Sequence, residues 1–392
     1  MSHNSPKPLL TAMAAALFIS PLADAAVLPA MPPSLYIHAG PLGKIAVGGI
    51  LSVNGRAQSN RFDQSGPAGK YFSANVTDGL VSVAKNHGLI QFYLEAGAYN
   101  LYGVGQPAMS TGTATNLFGP LPLAYLQITP SKNFNVQIGK LPAITGITPL
   151  TGLISNSYNV QFGLGGWQQQ TVSRGIQANY SAGPFSASLA WTDGYYSKRF
   201  NWAVGQLTYS PTASSTFYFQ GGGNLGHTSY IGPLDNSDFY LLGYSYSGTK
   251  WNMFAYLQYQ KLLNGRDFAN LNDGNQYAAS IDGNYAFTKH YSLSARLDYM
   301  AYSDTGTFGT GSSQTTLVGN EMGYGPGSRA VSLTLTPIYQ YKHWFVEGDL
   351  SYVHAYHLTA GEAFWAKWQP AQSICRHAEH RYPAVMTKEH MF

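Results

Sequence analysis

Apolar and polar residues alternate along most of this chain. In the segment 291–302, YSLSARLDYMAY, the odd-numbered positions are apolar or aromatic, and most even-numbered positions are polar, including Arg296 and Asp298. The segment 276–287 alternates in the same way around Asp282. A period of two predicts β-strands, and here each strand has one apolar and one polar face.

About fifteen such segments follow one another, starting near residues 44, 74, 89, 121, 133, 171, 184, 201, 215, 238, 250, 276, 291, 328 and 344. Short turns between them alternate with long connections, which cover roughly 60–73, 100–120, 142–170, 224–237, 261–275 and 303–327. This rhythm predicts an all-β fold, a transmembrane antiparallel up-and-down β-barrel with short turns in the periplasm and long loops outside. A β-sandwich or a propeller also has many short strands, but neither predicts the alternation of short and long connections.

Aromatic residues gather at the predicted strand ends. They are Trp191, Tyr195, Tyr196, Trp202, Tyr209, Trp251, Tyr259, Tyr299, Tyr302, Tyr341 and Trp344. Such rings are favourable at a lipid headgroup boundary, where their apolar bodies meet lipid and their polar atoms meet water. Ordinary strand preference for aromatic residues is the alternative explanation for any single position. The set as a whole predicts two aromatic belts.

The composition supports a barrel in a membrane. Only 10% of the 392 residues are charged, against about 25% in a typical soluble domain. The chain has 43 Gly and 29 Tyr, and its formal charge of +4 is too small to indicate a nucleic-acid partner. Cys375 is the only cysteine, so no disulfide is expected within the chain.

The first 25 residues are typical of a secretory signal peptide. Lys7 precedes an apolar stretch from Leu9 to Ser20, and Ala23-Asp24-Ala25 fits a cleavage site. An uncleaved membrane anchor is the alternative, but the apolar stretch is shorter than the ~20 residues of a spanning helix. We therefore expect an exported chain with its barrel in residues 26–364.

The tail, residues 365–392, breaks the pattern. It has no clear alternation and contains Cys375 and three of the eleven histidines. Because bacterial barrels have an even number of strands, sixteen strands are expected, of which the last is predicted to be lost. We interpret the tail as a frameshift near Phe364, since compatible codons in the next frame permit GQNGNQPSQYAGMLNIGILL followed by a stop. A genuine periplasmic or disordered extension is the alternative.

The polar face of the strands is expected to face the barrel interior. By parity it includes nine candidate pore-lining residues: Arg56, Glu95, Gln177, Asn179, Asp282, Arg296, Asp298, Glu347 and Asp349. A sixteen-stranded barrel leaves room for an aqueous channel. The pattern therefore favours passive diffusion of small hydrophilic solutes or ions, with selectivity set by these charges. A structural network of neutralising pairs is an alternative role for any named pair, and a non-conducting barrel acting as an adhesin or envelope scaffold is the alternative function.

The long connection from Pro142 to Ser173 is low in charge and rich in apolar residues. Those residues would be unfavourable in water, so we expect the connection to fold into the barrel and narrow the pore. A surface lid or an oligomer contact is the alternative.

Catalytic and metal-binding patterns are weak in this sequence, and we expect no enzyme, no metal and no cofactor. The stretch GGGNLG at 221–226 fits a nucleotide-binding motif, but a strand and loop surround it instead of a helix. Its glycines are expected to relieve crowding or bend the strand. His354 and His357 are three residues apart on a strand, which places them on opposite faces.

Two stretches carry a family resemblance. FNVQIGKLPAITG at 134–146 and SRGIQANYSAGPFSASLAWTDGYYS at 173–197 resemble the OmpL-like β-barrel porins, over residues 40–364. The resemblance implies a barrel of porin type in the bacterial outer membrane, with membrane lipid and small polar solutes or ions as partners and a homotrimer as a further candidate assembly. It implies no particular substrate. The tail departs from the family pattern at the closing strand.

Overall fold

A computed structural model describes residues 34–59, 70–106, 110–146, 150–151, 154–155, 158–226, 237–262, 274–303, 324, 327–357 and 385–391. The predicted signal peptide and residues 358–384, which include most of the tail, lie outside the described residues. Among those described, no helix is long and apolar enough to cross a membrane.

The described residues form twenty strands and one short α-helix. The strands are β1 (Leu35–His38), β2 (Lys44–Ala57), β3 (Phe72–Lys85), β4 (Ile90–Ala98), β5 (Leu123–Ser131), β6 (Phe134–Pro142), β7 (Leu150–Thr151), β8 (Ile154–Ser155), β9 (Val172–Ala182), β10 (Phe185–Thr192), β11 (Trp202–Thr212), β12 (Ser215–Asn224), β13 (Asp238–Ser247), β14 (Trp251–Leu262), β15 (Gly274–Ala286), β16 (Tyr291–Tyr302), β17 (Arg329–Tyr341), β18 (Trp344–Glu347), β19 (Leu350–Tyr356) and β20 (Val385–Met391). The helix, α1 (Thr111–Phe118), lies between β4 and β5.

All the strands except β7 and β8 join one antiparallel sheet, in which each strand pairs with the next along the chain, apart from β18 and β19, which do not pair with each other. β18 and β19 are two parts of one wall strand, because both pair with β17 in the same register on either side of Gly348 and Asp349. Apart from β1, the wall therefore has sixteen strands. The fifteen strand starts predicted from the sequence lie within two residues of those observed, which confirms the up-and-down barrel.

The sixteenth wall strand comes from the tail. β20 pairs with β18 and β19 on one side, and with residues 52–57 of β2 on the other. The expected loss of the closing strand is therefore wrong, because the tail contains an extended segment at the closing position. Backbone pairing requires no particular side chains, so the unpaired edges of β2 and β19 accept a segment that lacks clear alternation. The frameshift itself stays a prediction about the gene.

A further strand that the sequence analysis missed, β1, adds to the same edge of β2. It pairs with residues 44–47, at the short-turn end, while β20 pairs with residues 52–57 nearer the long connections. We call this shared edge the seam. Its two partners lie at opposite ends of the described chain.

The two faces of the wall have opposite chemistry. Along β16, residues 292, 294, 296, 298, 300 and 302 are buried in the interior, while Tyr291, Leu293, Leu297 and Tyr299 are exposed on the outside. The exposed side chains of the other strands are also mostly apolar or aromatic. This arrangement fits a wall whose outer surface contacts lipid.

Three residues predicted for the aromatic belts lie inside the barrel instead. Trp191, Trp251 and Trp344 are exposed on the outer face as expected, whereas Tyr195, Trp202 and Tyr302 are buried. The sequence interpretation placed these three by their nearness to strand ends and ignored parity. Trp202 and Tyr302 occupy inward positions of β11 and β16, so the alternation itself gives their correct side.

Candidate functional site

The long connection between β6 and β9 lies inside the barrel. We call residues 158–170 the inner segment. Phe162 exchanges backbone hydrogen bonds with Tyr102 and Val104, which belong to the connection after β4. Other residues of the inner segment bond to β14, β15, β16 and β17 across the interior. The prediction that this connection folds into the barrel is therefore confirmed, and a surface lid is excluded for the described part.

Glutamine amides fix one end of the inner segment to the wall. The Nε2 amide of Gln168 donates to Oε1 of Gln276 at 2.6 Å, and that of Gln169 donates to Oε1 of Gln258 at 2.9 Å. Gln258 in turn donates to Oε1 of Gln168 at 2.7 Å. All four side chains are buried. An amide both donates and accepts, so a chain of glutamines satisfies many polar atoms without burying net charge.

Charged residues hold the other end. The backbone amides of Val160 and Gln161 donate to the two carboxylate oxygens of Asp349 at 3.1 and 2.9 Å. Arg296 donates to the carbonyl oxygen of Gln161 at 2.6 Å and pairs with Asp298 at 3.0 Å. Hydrogen bonds to ionised groups are stronger than neutral ones, particularly where water is excluded.

Asp282 and Thr336 complete this cluster through one residue of the inner segment. The Nδ2 amide of Asn159 donates to Asp282 at 2.6 Å. The Thr336 hydroxyl donates to Oδ1 of Asn159 at 2.7 Å. We call Asn159, Asp282, Arg296, Asp298 and Asp349 the charged cluster. It joins β15, β16 and the break between β18 and β19 to one stretch of the inner segment, and Thr336 of the intervening strand β17 binds the same Asn159.

A glycine allows this close approach. A Cβ atom on Gly163 would lie 2.4 Å from a carboxylate oxygen of Asp298, so any larger residue would push the backbone away from the wall. The inner segment has glycines at positions 163, 165 and 166, where its backbone turns against β15 and β16.

The nine candidate pore-lining residues all occupy the inward face, and each is buried, with 7% or less of its surface exposed. Asp282, Arg296, Asp298 and Asp349 come together in the charged cluster. The other five are not among its members. Glu95 accepts a hydrogen bond from Tyr93 at 2.5 Å, and Gln177 donates to Asn179 at 2.8 Å. Arg56 and Glu347 lie on β2 and β18.

The sequence analysis missed the partners contributed by the inner segment and by inward glutamines. Gln220, for example, donates to the carbonyl oxygen of Gly146 at 2.9 Å and accepts from its amide at 2.7 Å. Two signals were available in the sequence. One is the run Gln168-Gln169-Gln170 inside an otherwise apolar connection, and the other is the recurrence of glutamine at inward strand positions.

The weaker motifs stay outside this site. In the part of the chain that the structure describes, no three His, Cys, Asp or Glu side chains are grouped to hold a metal ion. The glycines of GGGNLG lie mostly in β12, and a Cβ atom on Gly222 would lie 2.6 Å from the ring of Trp202. This confirms for Gly222 the expectation that a glycine here relieves crowding.

Several solved outer-membrane proteins share the architecture. An anion-selective porin from Comamonas acidovorans superposes with a TM-score of 0.54 at 13% identity, covering 89% of this chain and 99% of that one. OmpT of Vibrio cholerae gives 0.54 at 11% identity, over 91% and 99% of the two chains. The channel DcaP of Acinetobacter baumannii gives 0.52 at 10% identity, over 92% and 100%. At these identities the likeness concerns the fold alone.

The sequence itself identifies the family. No curated relative matches the chain. The family model described as "Putative beta-barrel porin-2, OmpL-like" matches residues 44–372, which include fifteen of the sixteen wall strands. The chain therefore belongs to the OmpL-like β-barrel porin family of the bacterial outer membrane.

Proposed function

We propose that this protein is a channel for passive diffusion of small hydrophilic solutes or ions, and that the inner segment sets the width of its path. The observation that carries the proposal is the polar attachment of that segment across the interior. Glutamine amides hold one end, the charged cluster holds the other, and the apolar side chains of the wall face outward. Selectivity in such barrels is determined by the constriction and the charges beside it.

The nine inward residues are proposed to border the path. Their side chains are polar or charged, which suits partly dehydrated solutes that exchange water for protein hydrogen bonds. The proposed function requires no catalytic group and no cofactor. Assembly into a homotrimer stays a prediction, which chemical cross-linking of the detergent-extracted protein would test.

The experiment is single-channel recording in planar bilayers. The full chain is compared with a variant in which a Gly-Ser stretch of equal length replaces residues 158–170. Without its polar anchors the replacement is no longer held across the interior, so we expect larger and noisier conductance steps. As a control, Lys342→Asn with His343→Gly alters the two-residue turn between β17 and β18, at the end of the wall opposite the long connections. This control should conduct as the unaltered chain does.

A second function is favoured by the burial of the nine residues. Since each is 7% exposed or less, the interior at their level is packed, as in a non-conducting barrel that acts as an adhesin or envelope scaffold. The same recordings separate the two functions. A folded protein that gives no openings, and gains none when residues 158–170 are replaced, would contradict the channel and favour the scaffold.

A further inference from the structure

A row of tyrosines crosses the outer face of the wall near its long connections. Tyr240 pairs with Tyr259, and Tyr259 pairs with Tyr277, on the consecutive strands β13, β14 and β15. The exposed fractions of Tyr240 and Tyr277 are 53% and 49%. Tyrosines on a lipid-facing surface are favourable at the boundary between acyl chains and headgroups. This tyrosine row therefore marks the height of the headgroups on this side of the barrel.

Arg329 continues the tyrosine row on β17. Tyr277 pairs with Ala301 of β16, and Ala301 pairs with Arg329. The strand β17 contains no glycine, and its exposed and buried residues alternate from one end to the other. Ala330 is 1% exposed and faces the interior, while Arg329 and Leu333 are exposed. The alternation therefore places Arg329 on the outer face, at the height of the headgroups.

In the described part of the chain, no acid compensates Arg329. Its two cross-strand partners, Ala301 and Tyr356, are uncharged. Lys261, on the same face of β14, instead has Asp238 as a direct cross-strand partner. Arg329 makes no ion pair and no hydrogen bond among the residues that the structure describes. A guanidinium without a protein anion at this height is complementary to an anionic headgroup.

An apolar groove extends from the tyrosine row toward the short turns. It consists of two adjoining hollows of about 880 Å³ and about 490 Å³, volumes typical of ligand sites. The hollows share one row of side chains, which are Leu242, Leu257, Ala279 and Tyr299. The smaller hollow ends at Val331, which pairs with Tyr299 and lies two residues from Arg329 on the same face. The groove and the unpaired cation are therefore adjacent.

We propose that this part of the outer face binds a phosphorylated lipid of the outer leaflet, with the phosphate on Arg329 and an acyl chain in the groove. A guanidinium donates paired, charge-assisted hydrogen bonds to phosphate oxygens. The apolar walls of the groove offer an acyl chain close contacts over much of its length. Charge complementarity selects this occupant, because Arg329 lies at the end of the groove and has no anion of its own among the described residues.

The test is native mass spectrometry of the full chain in detergent, with a diphosphorylated glycolipid and its dephosphorylated form as probes. We expect preferential binding of the phosphorylated lipid. Arg329→Gln should weaken that binding about fivefold, the effect of one basic residue at a charged membrane surface. Lys289→Gln is the matched control, because Lys289 is exposed in the short turn between β15 and β16 and carries the same charge. It should bind the lipid as the unaltered chain does.

A second pair of variants tests the groove. Ala279→Leu fills the row that the two hollows share, so it should weaken the binding of both lipids several-fold. Ala295→Leu adds the same side chain on the outer face of β16, outside the groove, and should leave the binding unchanged. Circular dichroism of all four variants separates loss of binding from loss of the fold.

Four outcomes would overturn the proposal. The first is equal binding of the two lipids by the unaltered chain, and the second is binding by Arg329→Gln or by Ala279→Leu that equals that of the unaltered chain. The third is complete competition by inorganic phosphate at the concentration of the lipid, since free phosphate would then be the ligand. The fourth is dissociation of an oligomer by Ala279→Leu with lipid binding unchanged, since the groove would then be a contact between copies of the chain.

Discussion

At the scale of single residues, a glycine on the inner face of the wall is more constrained than one on the outer face. Gly205 and Gly222 lie on the neighbouring strands β11 and β12. The nearest atom to a Cβ on Gly205 would be the Ser188 carbonyl oxygen at 3.7 Å, which is an ordinary contact. On Gly222 it would meet the Trp202 ring at 2.6 Å. Trp202 is fully buried and donates to the carbonyl oxygen of Ser237 at 2.8 Å, so its ring is held in place.

We therefore predict that Gly222→Val lowers the free energy of unfolding by about 2 kcal/mol, the usual cost of overpacking a filled interior. Gly205→Val should leave it unchanged or raise it slightly, because valine favours a strand. Urea unfolding of the detergent-solubilised protein, followed by tryptophan fluorescence, measures both. Equal changes in the free energy of unfolding would contradict this prediction, because the interior around Trp202 would then accommodate the added side chain.

Sequence reasoning located the inward face correctly at this scale, but it did not find the contacts made there. Arg296 and Asp298 follow from parity, since both are polar residues in an alternating strand. Their contact with Gln161 does not, because it joins residues 135 positions apart in sequence through a backbone carbonyl. No period in the sequence records such a pairing. Trp202 was assigned to the wrong face because strand ends were weighed above alternation.

At the scale of elements, the strands were predictable because each repeats the same alternation over eight or more residues. Short or interrupted elements were not predicted. These are β1, α1, β7, β8, the break at Gly348 and Asp349, and β20. β1 spans four residues and β20 seven. Segments this short gain most of their stability from the edge on which they dock, so their own sequence carries little signal.

The tail provides a prediction at this scale. β20 covers only residues 52–57 of β2, and β1 covers residues 44–47. Replacing residues 365–392 by the sequence inferred from the next reading frame should supply a longer closing strand. Each added cross-strand pair contributes about 0.2–1 kcal/mol, so the free energy of unfolding should rise by several of these increments.

Thermal unfolding monitored by circular dichroism compares the two tails. Deleting residues 385–392 is the matched control, and it should lower the stability because two strand edges then lack a partner. If the deletion leaves the unfolding temperature unchanged, the tail contributes nothing to closure, and the pairing of β20 would be without consequence.

At the scale of the whole molecule, the inward charges are unequal. Two arginines and five acids stand among the nine inward residues, a formal excess of three negative charges. Fixed negative charge in a low-dielectric channel attracts cations and repels anions. We therefore predict a cation-preferring channel, unlike the anion-selective porin that shares its fold.

Reversal potentials across a salt gradient measure this preference. Glu347→Gln should reduce it, because the substitution removes one inward charge and keeps the shape of the side chain. Asp238→Asn is the control, since Asp238 lies at the end of β13 beside the long connection and can still accept the backbone amide of Asn224. A preference for anions in the unaltered channel would contradict this assignment.

The seam has a consequence for how the molecule assembles. Every other wall contact joins strands that follow one another in the chain, so the hairpins can form one after another through local contacts. The contact of Ser52 with Met391 instead joins residues at nearly opposite ends of the chain. It can form only when the rest of the wall has brought the edges of β2 and β20 together. Ring closure is then the final, cooperative step of insertion. A circular permutant that links β20 to β2 and opens a short turn elsewhere would move ring closure to a different pair of strands.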